Sequence, residues 1–258
     1  MSDVVLKELN DGVLVVTLNR PEKKNAFNAA QWQGLADALN EARQDDDVNV
    51  VVVTGAGNNF SSGQDLADFE SLPGGGGASY RTGEDAVVEF DKPLIGAATG
   101  VAVGGGATIL FYCDVLYVGE SLRLRVPFTS LGMAPEFAST YMLQARIGTQ
   151  RAAEILLSSK WVDADEAVAC GIAKARCSDE DVLATALKMA AEIAQWPVNA
   201  LKETKRCLNV MHKAGIQAAL AAEHDAMSRQ AGSPENTEAV MAFLEKRKPD
   251  FKKLIKKG

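Results

Sequence analysis

The run from Gly100 to Asp114, GVAVGGGATILFYCD, restricts this chain more than any other: a strand ends in three consecutive glycines and passes directly into an apolar helix. Such a junction leaves backbone N–H donors at the positive end of a helix, a preformed site for an oxyanion. Three glycines equally allow one backbone to pack closely against another. Taken alone, the run therefore fixes a strand-turn-helix unit and leaves its use open.

Similar units surround it. Val4 to Asn19 reads as two strands about Asn10-Asp11-Gly12, residues suited to the positive φ of a tight hairpin. Asn28 caps a helix whose apolar face is Trp32, Leu35, Ala36, Leu39 and Ala42, and Val50 to Thr54 follows as a buried strand. A second pass starts at Pro93, with a strand over Leu94 to Thr99, a turn at Gly104 to Gly106, a helix over Ala107 to Tyr112 and a strand over Val115 to Val118. Between the passes, Leu72 to Ala78 contains Pro73 and four glycines and is expected to be a mobile loop. Strand signals stop at about Val182, and helical patterns cover Leu183 to Gln195, Ala200 to Lys213, Ile216 to Arg229 and Glu235 to Lys246. The expectation is an α/β core over residues 1–195 and an all-helical region over 196–258. The apolar faces of that region, with Leu201, Leu208, Met211, Leu220 and Met227, exceed what a short tail can bury and call for a partner subunit.

Charge narrows the function. Lys plus Arg number 27 against 34 Asp plus Glu, a net charge of -7, the wrong sign for binding nucleic acid by phosphate neutralisation. Four scattered cysteines and two histidines, His212 and His224, lack the spacing of a zinc site or a disulfide framework, so no metal is expected. The N-terminus lacks the pattern of an address peptide and no apolar run is long enough for a membrane span, which makes the cytoplasm the expected location.

Two further stretches carry candidate chemistry. In NNFSSGQDLADF, Asn58 to Phe69, small residues let a ligand approach the backbone, and Asp65 is placed to cap a short helix from Leu66, leaving N–H groups free near Gln64. In Val126 to Arg146, Pro135 suits a first helical position, which puts Glu136 in the opening turn among the apolar Met133, Phe137 and Tyr141. An acid there compensates the helix dipole or serves as a catalytic base.

In order and spacing, RPEKKNAFN, FSSGQDL, GVAVGGGA, the PF…LG…PE run and FLEKRKPDF closely resemble the crotonase (enoyl-CoA hydratase/isomerase) family over nearly the whole chain. The resemblance implies a crotonase-like spiral of β-β-α repeats with a C-terminal trimerisation region, a homotrimer or dimer of trimers, and a CoA thioester as substrate carrier without a further cofactor. It implies that the N–H groups of Gln64 and Gly105 bind the thioester oxygen, the side chain of Gln64 being incidental. Lys23 and Lys24 match a basic stretch near the CoA phosphates, and Lys246, with Lys252 or Lys253, matches C-terminal lysines that reach a neighbouring subunit's CoA. The resemblance further implies that Ser62, Asp65 and Leu66 fall in the CoA-binding motif and that Thr108, Phe128 and Met133 line the acyl pocket. Asp114 is expected to satisfy backbone groups only.

Family hydratases handle water with two glutamates, and the matching positions here are Thr108 and Phe128, neither of which exchanges a proton with water. Glu136 remains, and PFTSLGMAPE is similar to the 3,2-trans-enoyl-CoA isomerases, whose glutamate is the base. The resemblance thus implies an isomerase acting with one carboxylate. The alternatives are another acyl-CoA reaction on the same scaffold, a non-catalytic acyl-CoA-binding member, and RNA binding, which the acidic balance opposes.

Overall fold

The computed structural model describes residues 3–65 and 77–255. In chain order its strands are β1 (Val5–Asn10), β2 (Val13–Leu18), β3 (Val50–Gly55), β4 (Leu94–Ala98), β5 (Val101–Val103), β6 (Val115–Gly119), β7 (Arg123–Arg125), β8 (Val162–Asp163) and β9 (Ala175–Cys177). They form a six-stranded sheet, β1-β2-β3-β4-β6-β9, and a three-stranded sheet, β5-β7-β8. The first hairpin is antiparallel, with Asp11 at φ 47° and Gly12 at φ 79°, the left-handed pair that a two-residue turn requires.

From β2 onward the large sheet is parallel and covered on both faces, which explains the unbroken apolar run at Val50 to Val53. Val51 and Val53 enter the main core with Trp32, Leu35 and Leu39 of α1 (Ala29–Gln44). Val50 and Val52 point the other way, into a cluster closed by Val182, Ala186 and Ala190 of the helix Val182–Ala194. Asn28 caps α1 by accepting the Gln31 N–H at 2.9 Å.

Successive strands alternate between the two sheets: β4 joins the large one and β5 the small, then β6 the large and β7 the small. Less regular pieces continue the second layer upstream. Ser61 bridges Ala102 of β5, and Gln64 bridges Phe27. Gln64 and Gly105 thus occupy comparable places in successive repeats, each at the end of a second-layer segment. The repeat geometry itself brings the two glycine turns together.

Several helices went unread in the sequence. Ala78–Val88 begins inside the stretch expected to be a loop, of which residues 72–76 lie outside the described residues, and Thr149–Ser158 and Ala164–Cys170 follow, while the helix expected from Pro135 starts at Ser139. The C-terminal helices Val198–Asn209, Lys213–Gln230 and Pro234–Leu244 lie close to their expected positions. Of the apolar residues singled out in this region, Leu208 is 66% and Met211, in the turn between two of the helices, 82% exposed, while Leu201, Leu220 and Met227 are partly covered. Among the described residues no helix is long and apolar enough to cross a membrane.

Candidate active site

Trp32, 2% exposed, is the hub of the site. Its ring stacks on Phe27 with centroids 3.9 Å apart, meets Tyr80 edge-on at 5.3 Å and lies 5.8 Å from Phe137. Its indole N–H donates to Gln64 Oε1 at 2.9 Å. The Gln64 side chain thus ties the first glycine turn to α1. A β-carbon placed on Gly105 would lie 3.1 Å from Trp32 Cη2 and 3.2 Å from Glu136 Oε1. Gln64, Gly105 and Glu136, far apart in sequence, meet around one indole.

The two turns hold their donors in a similar way. Gly63 O accepts from Phe27 N–H at 2.7 Å and Asp65 N–H donates to Phe27 O at 2.8 Å, so the Gln64 N–H falls between two engaged positions and points away from Phe27. Gly104 N–H donates to Arg125 O at 3.0 Å, and its φ of 54° and ψ of -124° turn the chain out of β5 into the helix Gly105–Leu110. Among the described residues, neither the Gln64 nor the Gly105 N–H donates a hydrogen bond within the protein. A β-carbon on Gly63 would fall 2.6 Å from Val103 O, so the missing side chain lets the turns touch.

Glu136 is buried, 9% exposed, but it is not in the opening turn of a helix as the sequence suggested. The helix starts at Ser139, and Phe137 and Ala138 have φ of 59° and 48°, a left-handed pair incompatible with a right-handed turn. Pro135 therefore does not open a helix, and Glu136 stands before the helix Ser139–Ile147, outside its first turn. Burial raises the Glu136 pKa to about 8, helped by the charges of Glu84 and Glu223 and opposed by a hydrogen bond from Tyr80.

The remaining expected residues divide. Ser62 N–H donates to Lys24 O at 2.9 Å and Ser62 Oγ to Lys23 O at 3.3 Å, which puts the exposed Lys23 and Lys24 beside the Gln64 turn. Asp65 carries a 2.8 Å ion pair with Arg20, and Leu66 lies outside the described residues, as does any helix that Asp65 would cap. Thr108 is fully buried, its hydroxyl donating to Gly105 O at 3.2 Å. Phe128 is buried and accepts the Met133 N–H at 2.9 Å, with Met133 packed on the core. Lys246 is exposed after the helix Pro234–Leu244, and among the described residues no hydrogen bond or ion pair joins its side chain to the site. Asp114 accepts from Leu94 N–H at 2.7 Å, as expected, and also from Lys205 at 2.8 Å.

Sequence reasoning missed Asn25, Tyr80, Glu84 and Glu223. Asn25 is fully buried, and its amide donates to Ala56 O and Asn59 O at 2.9 and 2.7 Å, pinning the segment that leads to the first turn. The i, i+4 spacing of Tyr80 and Glu84 was a visible signal, since residues four apart share a helix face.

A spiral of β-β-α repeats that sets two unspent N–H groups beside a buried acid describes an enzyme of the crotonase superfamily. The chain belongs to the enoyl-CoA hydratase/isomerase family, which it matches over residues 8–254. It is 31% identical to 1,2-epoxyphenylacetyl-CoA isomerase of Escherichia coli over 97% of this chain and 99% of that protein. It is also 31% identical to 2,3-dehydroadipyl-CoA hydratase of the same organism, over 98% of this chain and 99% of that one. The crystal structure of an enoyl-CoA hydratase/isomerase from Pseudoalteromonas atlantica superposes with a TM-score of 0.91 at 36% identity, covering 96% of this chain and 99% of that chain. Relatives thus carry both isomerase and hydratase names.

Proposed function

We propose that the protein shifts the double bond of a 3-enoyl-CoA to give trans-2-enoyl-CoA, with Glu136 as the single base. The observation that carries this reading is the place of Glu136 Oε1, 3.2 Å from where a β-carbon on Gly105 would stand, beside one of the two turns with a free donor, while the positions matching the hydratase acids hold Thr108 and Phe128. Glu84 does not replace those acids, because it is 1% exposed and three donors engage its carboxylate.

In the reaction, the Glu136 carboxylate takes a proton from the carbon between thioester and alkene. The C–H electrons become a new double bond toward the thioester carbon, and negative charge collects on the thioester oxygen as a dienolate. The Gln64 and Gly105 N–H groups donate to that oxygen, each such contact contributing about 3 kcal/mol to a transition state in a water-poor site. Glu136 then returns the proton to the γ-carbon, leaving the double bond conjugated with the thioester. A carboxyl with a pKa of about 8 suits a group that must both take and return a proton near neutral pH. Lys23 and Lys24, exposed beside Ser62, are placed to meet CoA phosphates, and Lys246 supplies a further cation in this reading.

Glu136→Gln keeps the shape of the site and removes the base. Assayed on 3-enoyl-CoA substrates of several chain lengths, it is expected to turn over roughly 100- to 10,000-fold more slowly than wild type, with CoA-ligand affinity little changed. Near wild-type turnover would refute the assignment.

A further inference from the structure

Behind Glu136 lies a group of polar side chains that this chemistry does not use. Glu84, on the helix Ala78–Val88, accepts from the Tyr80 hydroxyl and the Phe137 N–H, both at 3.1 Å from Oε1, and its Oε2 lies 2.7 Å from His224 Nε2. The Arg81 guanidinium, which can only donate, stands 3.4 Å from His224 Nδ1. With Nδ1 as the acceptor, Nε2 carries the hydrogen that Glu84 receives.

These contacts converge on the turn that carries the base. Two adjacent non-glycine residues in left-handed conformation, Phe137 and Ala138, are unfavourable and persist only where their surroundings over-determine them. The Phe137 carbonyl accepts from the Tyr112 hydroxyl at 2.7 Å while its N–H is held by Glu84. On the other side, Glu223 Oε1 takes the Thr140 N–H at 2.9 Å and the Thr140 hydroxyl at 2.6 Å. Glu84 and Glu223 come from helices more than a hundred residues apart, and both grip the four residues after Glu136.

Resting on the reading of Glu136 as the base, we propose that Glu84 is a positioning residue for it: braced by His224, it holds the Phe137 N–H so that the turn aims Glu136 at Gly105, and it shares the Tyr80 hydroxyl with the base. The charge of Glu84 is second only to burial in raising the proton affinity of Glu136, Glu223 adds to it, and the Tyr80 hydroxyl works in the opposite sense. Arg81 and His224 lie on the far side of Glu84, and Tyr112 reaches the turn through the Phe137 carbonyl. Toward α1 and Gly105 the neighbours are Trp32 and Gln64, which do not titrate.

The test is a substrate-free titration of Glu136 by 13C NMR of protein labelled at the Glu δ-carbon, with the resonance assigned by its loss in Glu136→Gln. The wild-type midpoint is expected at about 8. Glu84→Gln keeps the shape and removes the charge, and lowers the midpoint by on the order of one pH unit. Tyr80→Phe keeps the ring and raises it. In assays on 3-enoyl-CoA, Glu84→Gln lowers kcat roughly tenfold or more and leaves KM unchanged, because the new amide cannot accept the His224 N–H, the brace on the turn is lost and the base is misaimed while the ligand contacts survive. General loosening of the fold would not give midpoint shifts of opposite sign. Midpoints that stay put in both variants, or move the same way, overturn the proposal; if Glu84→Gln does not fold, the sign of the Tyr80→Phe shift decides it. A wild type that titrates as stated, with both shifts, but shows no isomerase turnover sinks the isomerase reading alone and leaves the role of Glu84 standing.

Discussion

The two halves of the site are built by different means. The donor half, Gln64 and Gly105, consists of backbone groups at matching points of successive repeats, and the small residues that shape it are neighbours in sequence. The base half is one carboxylate on an irregular segment, kept in place by Glu84 and Glu223 from helices remote in sequence. Repetition of a fold can deliver two N–H groups without specialised side chains. Mounting an acid in an apolar enclosure cannot be done locally, because a buried carboxylate and a left-handed backbone pair both need partners. The donor half should therefore answer to steric change, and the base half to charge and pH.

The largest difference is expected in stability at alkaline pH. Because the Glu136 pKa is raised from 4.5 to about 8 on folding, the folded protein holds this proton more tightly than the unfolded chain does. That contribution is complete below about pH 4.5 and is lost as pH rises through about 8, where an uncompensated buried charge forms. Glu136→Gln escapes the loss. Its stability relative to wild type, followed by thermal or urea unfolding, should rise between pH 5 and pH 9 by on the order of a few kcal/mol. A pH-independent difference would mean that Glu136 does not carry its raised proton affinity in solution.

In the donor half, Gly105→Ala should act without charge. The new methyl would sit 3.1 Å from Trp32 and 3.2 Å from Glu136 Oε1, so the indole or the carboxylate must yield by a few tenths of an ångström. Turnover of 3-enoyl-CoA should fall by about 10- to 100-fold with the pH dependence of stability unchanged. Wild-type turnover would show that the Gly105 contact is slack.

Trp32→Phe touches the join between the halves and should have the smallest effect. It keeps an aromatic ring against Phe27 and removes the donor to Gln64 Oε1, a hydrogen bond worth about 1 kcal/mol. A few-fold loss of turnover with the Glu136 titration unmoved would separate donor placement from base tuning, and a shifted titration would show that the halves are coupled through the indole.

The same division decides what could be read from the chain. The hairpin at Asp11-Gly12, the cap at Asn28, the buried valines of β3 and the glycine turn into the helix Gly105–Leu110 depend on neighbours in sequence, and each stood near its expected place. Glu136 was legible as a candidate because of its motif, but not its setting. Pro135 suggested a helix start, but the left-handed Phe137 and Ala138 delay the helix until Ser139, in a turn held by Glu84, Tyr112 and Glu223 from remote parts of the chain. The helix carrying Tyr80 and Glu84 was hidden for a similar reason. Its face is defined by packing against α1 and Trp32, and its start borders a glycine run that reads as loop.

The central claim is that this scaffold isomerises and does not hydrate, and the most direct measurement follows both products from the unmodified protein. Given 3-enoyl-CoA, it should form trans-2-enoyl-CoA. Given trans-2-enoyl-CoA, it should bind it competitively yet form 3-hydroxyacyl-CoA at a rate near background, because Thr108 and Phe128 stand where two water-handling acids would be needed. Substantial 3-hydroxyacyl-CoA from trans-2-enoyl-CoA, or the absence of any double-bond shift in 3-enoyl-CoA of every chain length, would contradict it.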